Sequence, residues 1–139
     1  MIKTYPDNSY FHFYNANPKN KRTADCIVRA ICTALEMDYV TCATEMFQLS
    51  MKVGYSINDS RLEEKYLSSK GWVYCKQPKK ENNKRYTVRE FINKFSKVNK
   101  NYVIHAGSQH TSCVVGKKVI DIWDCSNEVV GAYYQKGIK

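Results

Sequence analysis

Asn17-Pro-Lys-Asn-Lys-Arg-Thr-Ala-Asp-Cys-Ile-Val-Arg-Ala-Ile31 is the stretch from which the chain is best read. A polar, basic loop runs into Thr23, a good N-cap residue, and an amphipathic helix is predicted to begin at once, over about 24–36. Cys26 then falls at the third helical position, in the first turn. Unpaired backbone N–H groups and the positive end of the helix dipole there favour a thiolate over a thiol. Ile27, Ile31, Ala34 and Leu35 form one apolar stripe, with Val28 at its margin. The spacing predicts a central buried helix with a cysteine placed for nucleophilic work. Arg29 stands three residues after Cys26 and is expected to pair with Asp25 or another carboxylate.

Working outward, residues 1–22 form an aromatic arm with Tyr5, Tyr10, Phe11, Phe13 and Tyr14, broken by Pro6 and Pro18. Tyr10 to Tyr14 is read as a short strand or an arm laid on the core. Asp38 precedes a second helix, about 39–52, whose apolar side is expected to hold Val40, Ala43, Met46, Phe47 and Met51. Asn58 or Asp59 can cap a third, about 60–69, carrying Leu62, Tyr66 and Leu67. Trp72-Val-Tyr-Cys75 is a short strand. Thr87-Val-Arg-Glu90 fits the capping-box pattern and opens a fourth helix with Val88, Phe91, Ile92 and Phe95.

After Lys100 the pattern turns to strands, 101–105, 110–115, 118–123 and 129–134, with Gly116-Lys117 as a two-residue hairpin turn. Helices first and strands afterwards predict α+β organisation, in which the helices pack on a C-terminal antiparallel sheet. The hairpin register sets Val115 opposite Lys118, Ser112 opposite Asp121 and His110 opposite Trp123. His110, Ser112, Asp121 and Trp123 then share one face, with Asp121 diagonal to His110. Asp124 points to the other face. A slip of one residue would reverse the choice between the two carboxylates.

Composition bounds the rest. A chain of 139 residues with 43% hydrophobic and 13% aromatic content fits one globular domain, 1–139, with a core of ordinary size. No apolar run is long enough to span a membrane. Met1-Ile-Lys-Thr-Tyr-Pro6 has no apolar segment of the signal-peptide kind, so a cytoplasmic location is expected. Cys26, Cys32, Cys42, Cys75, Cys113 and Cys125 form no close pairs and no CxxC, and are read as free thiols. The net charge of +9 concentrates at Lys76, Lys79, Lys80, Lys84 and Arg85, within a solvated loop, and at Lys19, Lys21 and Arg22. No nucleic-acid-binding signature accompanies these runs, so solubility or steering of an acidic partner is preferred over a polyanion contact.

Cysteine at a helix start, histidine opening a strand and Asp-x-Trp on the next strand together resemble the papain-like cysteine peptidase fold. More narrowly, Asn17-Pro…Lys21-Arg-Thr-x-Asp-Cys26-x-x-Arg29-Ala30, with His110-x-x-x-Val114-x-Gly116 and Asp121-x-Trp-Asp124, resembles small bacteriophage-encoded proteins of that fold. The resemblance covers most of the chain. It implies Cys26 as nucleophile, His110 as base and then acid, and Asp121 as orienter, with Asp124 in reserve. Asn20, six residues before Cys26, stands where papain-like enzymes place an oxyanion-binding glutamine, although its side chain is shorter. The separation of 84 residues between Cys26 and His110 falls well below the papain spacing of about 130–150, implying a reduced version of the fold.

The expected function is a cysteine hydrolase acting on a peptide or isopeptide bond of a protein substrate, with no cofactor and no metal. His105 competes with His110 as base, or could join it as a metal ligand. A rival reading is a papain-like viral protein without useful catalysis that binds a host factor. Asp25, a negative charge beside the thiol, favours that rival. A transferase using the same triad is a third possibility.

Overall fold

In the computed structural model, residues 5–138 are described. The first four residues of the aromatic arm, and most of the stretch read above for a leader segment, lie outside them. The elements in chain order are β1 (Phe11–Phe13), α1 (Cys26–Ala34), α2 (Tyr39–Val53), α3 (Ser60–Ser69) and β2 (Trp72–Cys75). There follow α4 (Val88–Lys94), β3 (Asn101–Ala106), β4 (His110–Val115), β5 (Lys118–Asp121) and β6 (Val130–Lys136). The class is α+β, with four helices and one six-stranded sheet among the described residues. No helix among them is long and apolar enough to cross a membrane.

The sheet order is β1-β5-β4-β3-β6-β2. Its four central strands are antiparallel, as expected for sequential strands joined by short turns. The edges correct the expectation of a purely C-terminal, antiparallel sheet. At one edge, β1 from the aromatic arm adds parallel to β5, with Phe13 beside Asp121. At the other, β2 adds antiparallel to β6. The sheet is therefore mixed, and its two outer strands come from the helical half of the chain.

The β4–β5 turn follows the expected register, with Val115 opposite Lys118 and Val114 opposite Val119. Gly116 and Lys117 both take positive φ, 58° and 64°, the left-handed pair that a two-residue turn of this hand requires. Lys117 occupies a conformation unfavourable for a side chain, yet its ammonium donates to the carbonyls of Ile92 and Ser96, at 3.0 and 3.1 Å. The turn is thereby tied to the end of α4.

Two apolar clusters flank the sheet. Ile27, Ile31, Met46, Leu62 and Leu67, from α1 to α3, pack with Val103, Cys113 and Tyr134. On the other side Val88, Phe91 and Ile92 of α4 meet Phe11, Tyr102, Ile104, Val114 and Val119. Complete burial of a side chain such as Ile31 or Phe91 contributes roughly 1.5–3 kcal/mol each. The alternation along β3 sends Tyr102 and Ile104 to one cluster and Val103 to the other, as the period of two demands.

The buried face of α2 keeps Ala43 and Met46 from the expected stripe but is turned away from its other three members. The buried side of α2 runs through Cys42 and Met46, with Ala43, Leu49 and Val53 partly covered, whereas Val40, Phe47 and Met51 are exposed. Both sets have helical spacing, so periodicity alone could not choose between them. All six cysteines are free.

Candidate active site

Asp25, with its own φ of −119°, is the residue at which α1 begins, and Cys26 is the first helical residue. Thr23 is exposed and its carbonyl only accepts from the Asp25 N–H at 2.8 Å, so the expected cap and helix start shift by two residues. The Asp25 side chain makes no capping bond because it is committed elsewhere. Cys26 remains in the first turn, where backbone N–H groups lack helical acceptors.

Across from it stands His110, the first residue of β4. The Cys26 thiol lines the same cleft as the His110 ring and Thr111, close enough for both to act on its charge. His110 Nε2 lies 2.7 Å from Asp121 Oδ2, leaving Nδ1 for the sulfur. The indole of Trp123 covers the ring, with centroids 5.0 Å apart. Asp121 ends β5 and is 2% exposed. Its Oδ2 also accepts from Ser112 Oγ at 2.6 Å, and its Oδ1 accepts from Arg29 Nη1 at 2.8 Å and the Ile122 N–H at 2.7 Å. Each carboxylate oxygen thus has two donors. The sequence-derived set of Cys26, His110 and Asp121 is brought together, with Ser112 and Trp123 on the expected face.

Electrostatics follow from these contacts. Burial pushes the Cys26 thiol up, but the bonds from His110 and Thr111 and the charges of His110 and Arg29 outweigh it and leave the thiol below its ordinary 9.0. Burial pulls His110 down, but Asp121 and Cys26 outweigh it, raising the ring from 6.5 to about 9. Asp121, although buried, is held below its ordinary value by His110, Ser112 and Arg29. The Cys26 and His110 shifts both run toward a thiolate facing an imidazolium, the reactive form of a cysteine nucleophile.

Asp25, the negative charge that favoured a non-catalytic reading, is neutralised. Arg29 Nε donates to its Oδ1 at 2.7 Å, while Tyr39 Oη and Asn17 Nδ2 donate to Oδ2 at 2.8 and 3.1 Å. Burial and this donation raise the Tyr39 phenol to about 12. Arg29 was expected to pair with one carboxylate and pairs with two, joining Asp25 to Asp121.

Asp124 does not reach His110. It accepts from Asn8 Nδ2 at 2.9 Å and from the Ser126 N–H at 3.0 Å, closing a local turn. Asn20 is exposed, with φ of 55° in a turn closed by its N–H to Asn17 O, and it lines a depression with Tyr39 and Thr33 rather than the cleft beside the thiol. The structure does not bring it to Cys26. His105 faces the same cleft but pairs with Glu63 of α3 at 2.6 Å, not with His110. Sequence reasoning missed this Glu63 partnership, since 42 residues separate the two.

One potential metal cluster occurs among the described residues. Donor atoms of His110, Asp121 and Cys125 lie within 4.8 Å of one another. The chemistry does not suit an ion. Burial and the neighbouring Asp121 charge push the Cys125 thiol up, away from the thiolate a metal needs, and the Asp121 oxygens are already spoken for.

Cys26 and His110 open on a cleft of about 660 Å³ lined also by Ile27, Glu63, His105 and Thr111, among others. A larger depression of about 820 Å³, beside Trp72 and Lys136, holds none of this chemistry. Compared with known proteins, the chain matches no family model, no curated protein and no solved structure.

Proposed function

We propose that this chain is a cysteine hydrolase of papain-like type that cleaves a peptide or isopeptide bond through a thioester at Cys26. The observation that carries the reading is that Cys26 and His110 line one cleft at the start of α1, with His110 hydrogen-bonded to the buried Asp121. The Cys26 thiolate attacks the carbonyl carbon, and the oxyanion is met by N–H groups of the first turn of α1. His110 gives its proton to the leaving nitrogen as the C–N bond breaks, and the acyl group stays on sulfur. Water then attacks the thioester, His110 takes the water's proton, and the C–S bond breaks to release the acid. The proton returned to His110 restores the imidazolium beside the thiolate. Asp121 holds the ring in the orientation both steps require.

A scaffold that only binds a partner protein remains the rival reading. Its main support was the charge of Asp25, which Arg29, Tyr39 and Asn17 offset. Acylation distinguishes the two. With p-nitrophenyl acetate, intact-mass analysis is expected to show acetylation of Cys26 followed by its loss, and neither in Cys26→Ala. An unacylated Cys26 under conditions that acylate simple thiols would favour the binder.

A further inference from the structure

The cleft contains a second histidine–carboxylate pair that the proposed reaction does not use. Glu63 is wholly buried in the first turn of α3, with one oxygen 2.6 Å from His105 Nε2. Its other oxygen, Oε1, is buried without a hydrogen-bond partner. A buried carboxylate with half its acceptor capacity unmet is costly unless a cation stands against it. His105 is the group in place to be that cation. Bonding to Glu63 outweighs the effect of burial and raises the ring above its ordinary 6.5.

The pair is also asymmetric toward solvent. The His105 side chain is 28% exposed, whereas that of Glu63 is 0% exposed, so the cleft meets the His105 ring and not the carboxylate. His105 lies close enough to Cys26 for their charges to interact. Gly131, on the strand alongside, lines the cleft too. A Cβ there would come within 3.3 Å of the His105 Cβ, so a side chain would crowd the base of His105. Of the carboxylates around this wall, Asp59 is held by Arg61 at 2.8 Å, and Glu128 Oε1 stands 2.8 Å from where a Cβ on Gly107 would lie.

We propose that His105, backed by Glu63, forms a subsite for a carboxylate group carried by the substrate next to the bond that Cys26 attacks. The candidates of that chemistry are an acidic side chain and a free C-terminal carboxylate. The word substrate rests on the hydrolase reading; the subsite itself does not. Its mate is a group able to accept from an imidazolium ring, and the surplus of positive charge over the whole chain favours acidic partners in the same direction.

Alkylation of Cys26 reads the subsite directly, because iodoacetate carries a carboxylate next to the reacting carbon and iodoacetamide does not. The ratio of the two rate constants cancels changes in thiolate content. In His105→Gln, and in Glu63→Gln, which retains shape and removes the charge that holds the proton on His105, the ratio is expected to fall about tenfold from wild type. Both variants are checked for folding by circular dichroism, and a fall in either folded variant supports the subsite. An unchanged ratio in both overturns it.

Protection of Cys26 from iodoacetamide then assigns the source. N-acetylglutamate α-amide protects if the subsite takes an acidic side chain, and N-acetylalanine protects if it takes a C-terminal carboxylate. Failure of the hydrolase reading would appear separately, as absent acylation by p-nitrophenyl acetate, with the alkylation ratio still measurable.

Discussion

Arg29 Nη1 lies 2.8 Å from Asp121 Oδ1, an ion pair that joins the helix of Cys26 to the strand that ends at Asp121. Both partners are almost wholly buried, at 8% and 2% side-chain exposure. The same guanidinium holds Asp25, the residue before Cys26. One side chain therefore fixes the spacing between the two halves of the site and cancels the charge beside the thiol.

Removing that cation strands two buried carboxylates. Arg29→Ala is expected to destabilise the fold by about 3–5 kcal/mol, read as a lowered denaturant midpoint. Arg29→Lys supplies a point charge without the fork that reaches both partners, and is expected to fall between Arg29→Ala and wild type. An Arg29→Ala protein as stable as wild type would show that the bridge is dispensable.

Asp121 and Asp124 were the two carboxylates between which the hairpin register decides, and they separate experimentally. Asp121→Asn keeps the volume and removes the charge that raises His110. The rate of Cys26 alkylation at neutral pH is expected to drop by about tenfold. Asp124→Asn, which touches Asn8 and Ser126, is expected to leave that rate unchanged.

The raised His110 makes stability depend on pH. Its folded value of about 9 exceeds the ordinary 6.5, so its contribution is complete below 6.5 and is lost as pH rises toward 9. Asp121, held low, contributes above 3.8 and loses that contribution as pH falls through its lowered value. A Cys26→Ala background removes the opposing titration of the thiol. Because Cys26 shares in raising His110, only the part sustained by Asp121 remains there: urea midpoints are expected to decline as pH rises above 6.5, and His110→Gln is expected to flatten that decline. A decline equally steep without His110 would assign it to other groups.

Thr87 tests a purely structural feature. Its hydroxyl accepts from the Glu90 N–H at 3.1 Å while Glu90 accepts from the Thr87 N–H at 2.9 Å, a complete capping box. Thr87→Ala is expected to cost about 1 kcal/mol in thermal or denaturant unfolding, with Cys26 reactivity unaltered.

What the sequence could reveal followed the range of the interactions. The Gly116-Lys117 turn is local, so the β4–β5 register, and with it the pairing of Ser112 and His110 with Asp121, could be worked out residue by residue. The capping boundaries at Asp59 and Thr87 were legible for the same reason. The Asp25–Arg29 pair lies one helical turn apart and was anticipated, but the Tyr39 and Asn17 contacts that complete it come from other segments. Pairing of β1 with β5 and of β2 with β6 depends on which edges remain open, and no local pattern records that. The His105–Glu63 pair was hidden for a related reason. A glutamate in the first turn of a helix reads as a dipole partner on a solvated face, and only the packing of α3 buries it. The helix start at Asp25 was misplaced because Thr23 has the preferred cap chemistry while its side chain stays outside the helix.

The central claim is that Cys26 reacts as a thiolate because His110 holds the proton. The most direct measurement is the rate of Cys26 alkylation by iodoacetamide against pH, in wild type and in His110→Ala, with the site confirmed by peptide mass. The account predicts a plateau of reactivity persisting below the ordinary thiol value of 9.0 in wild type. In His110→Ala it predicts a single rise near that value. Superimposable profiles, both rising only near 9.0, would contradict it.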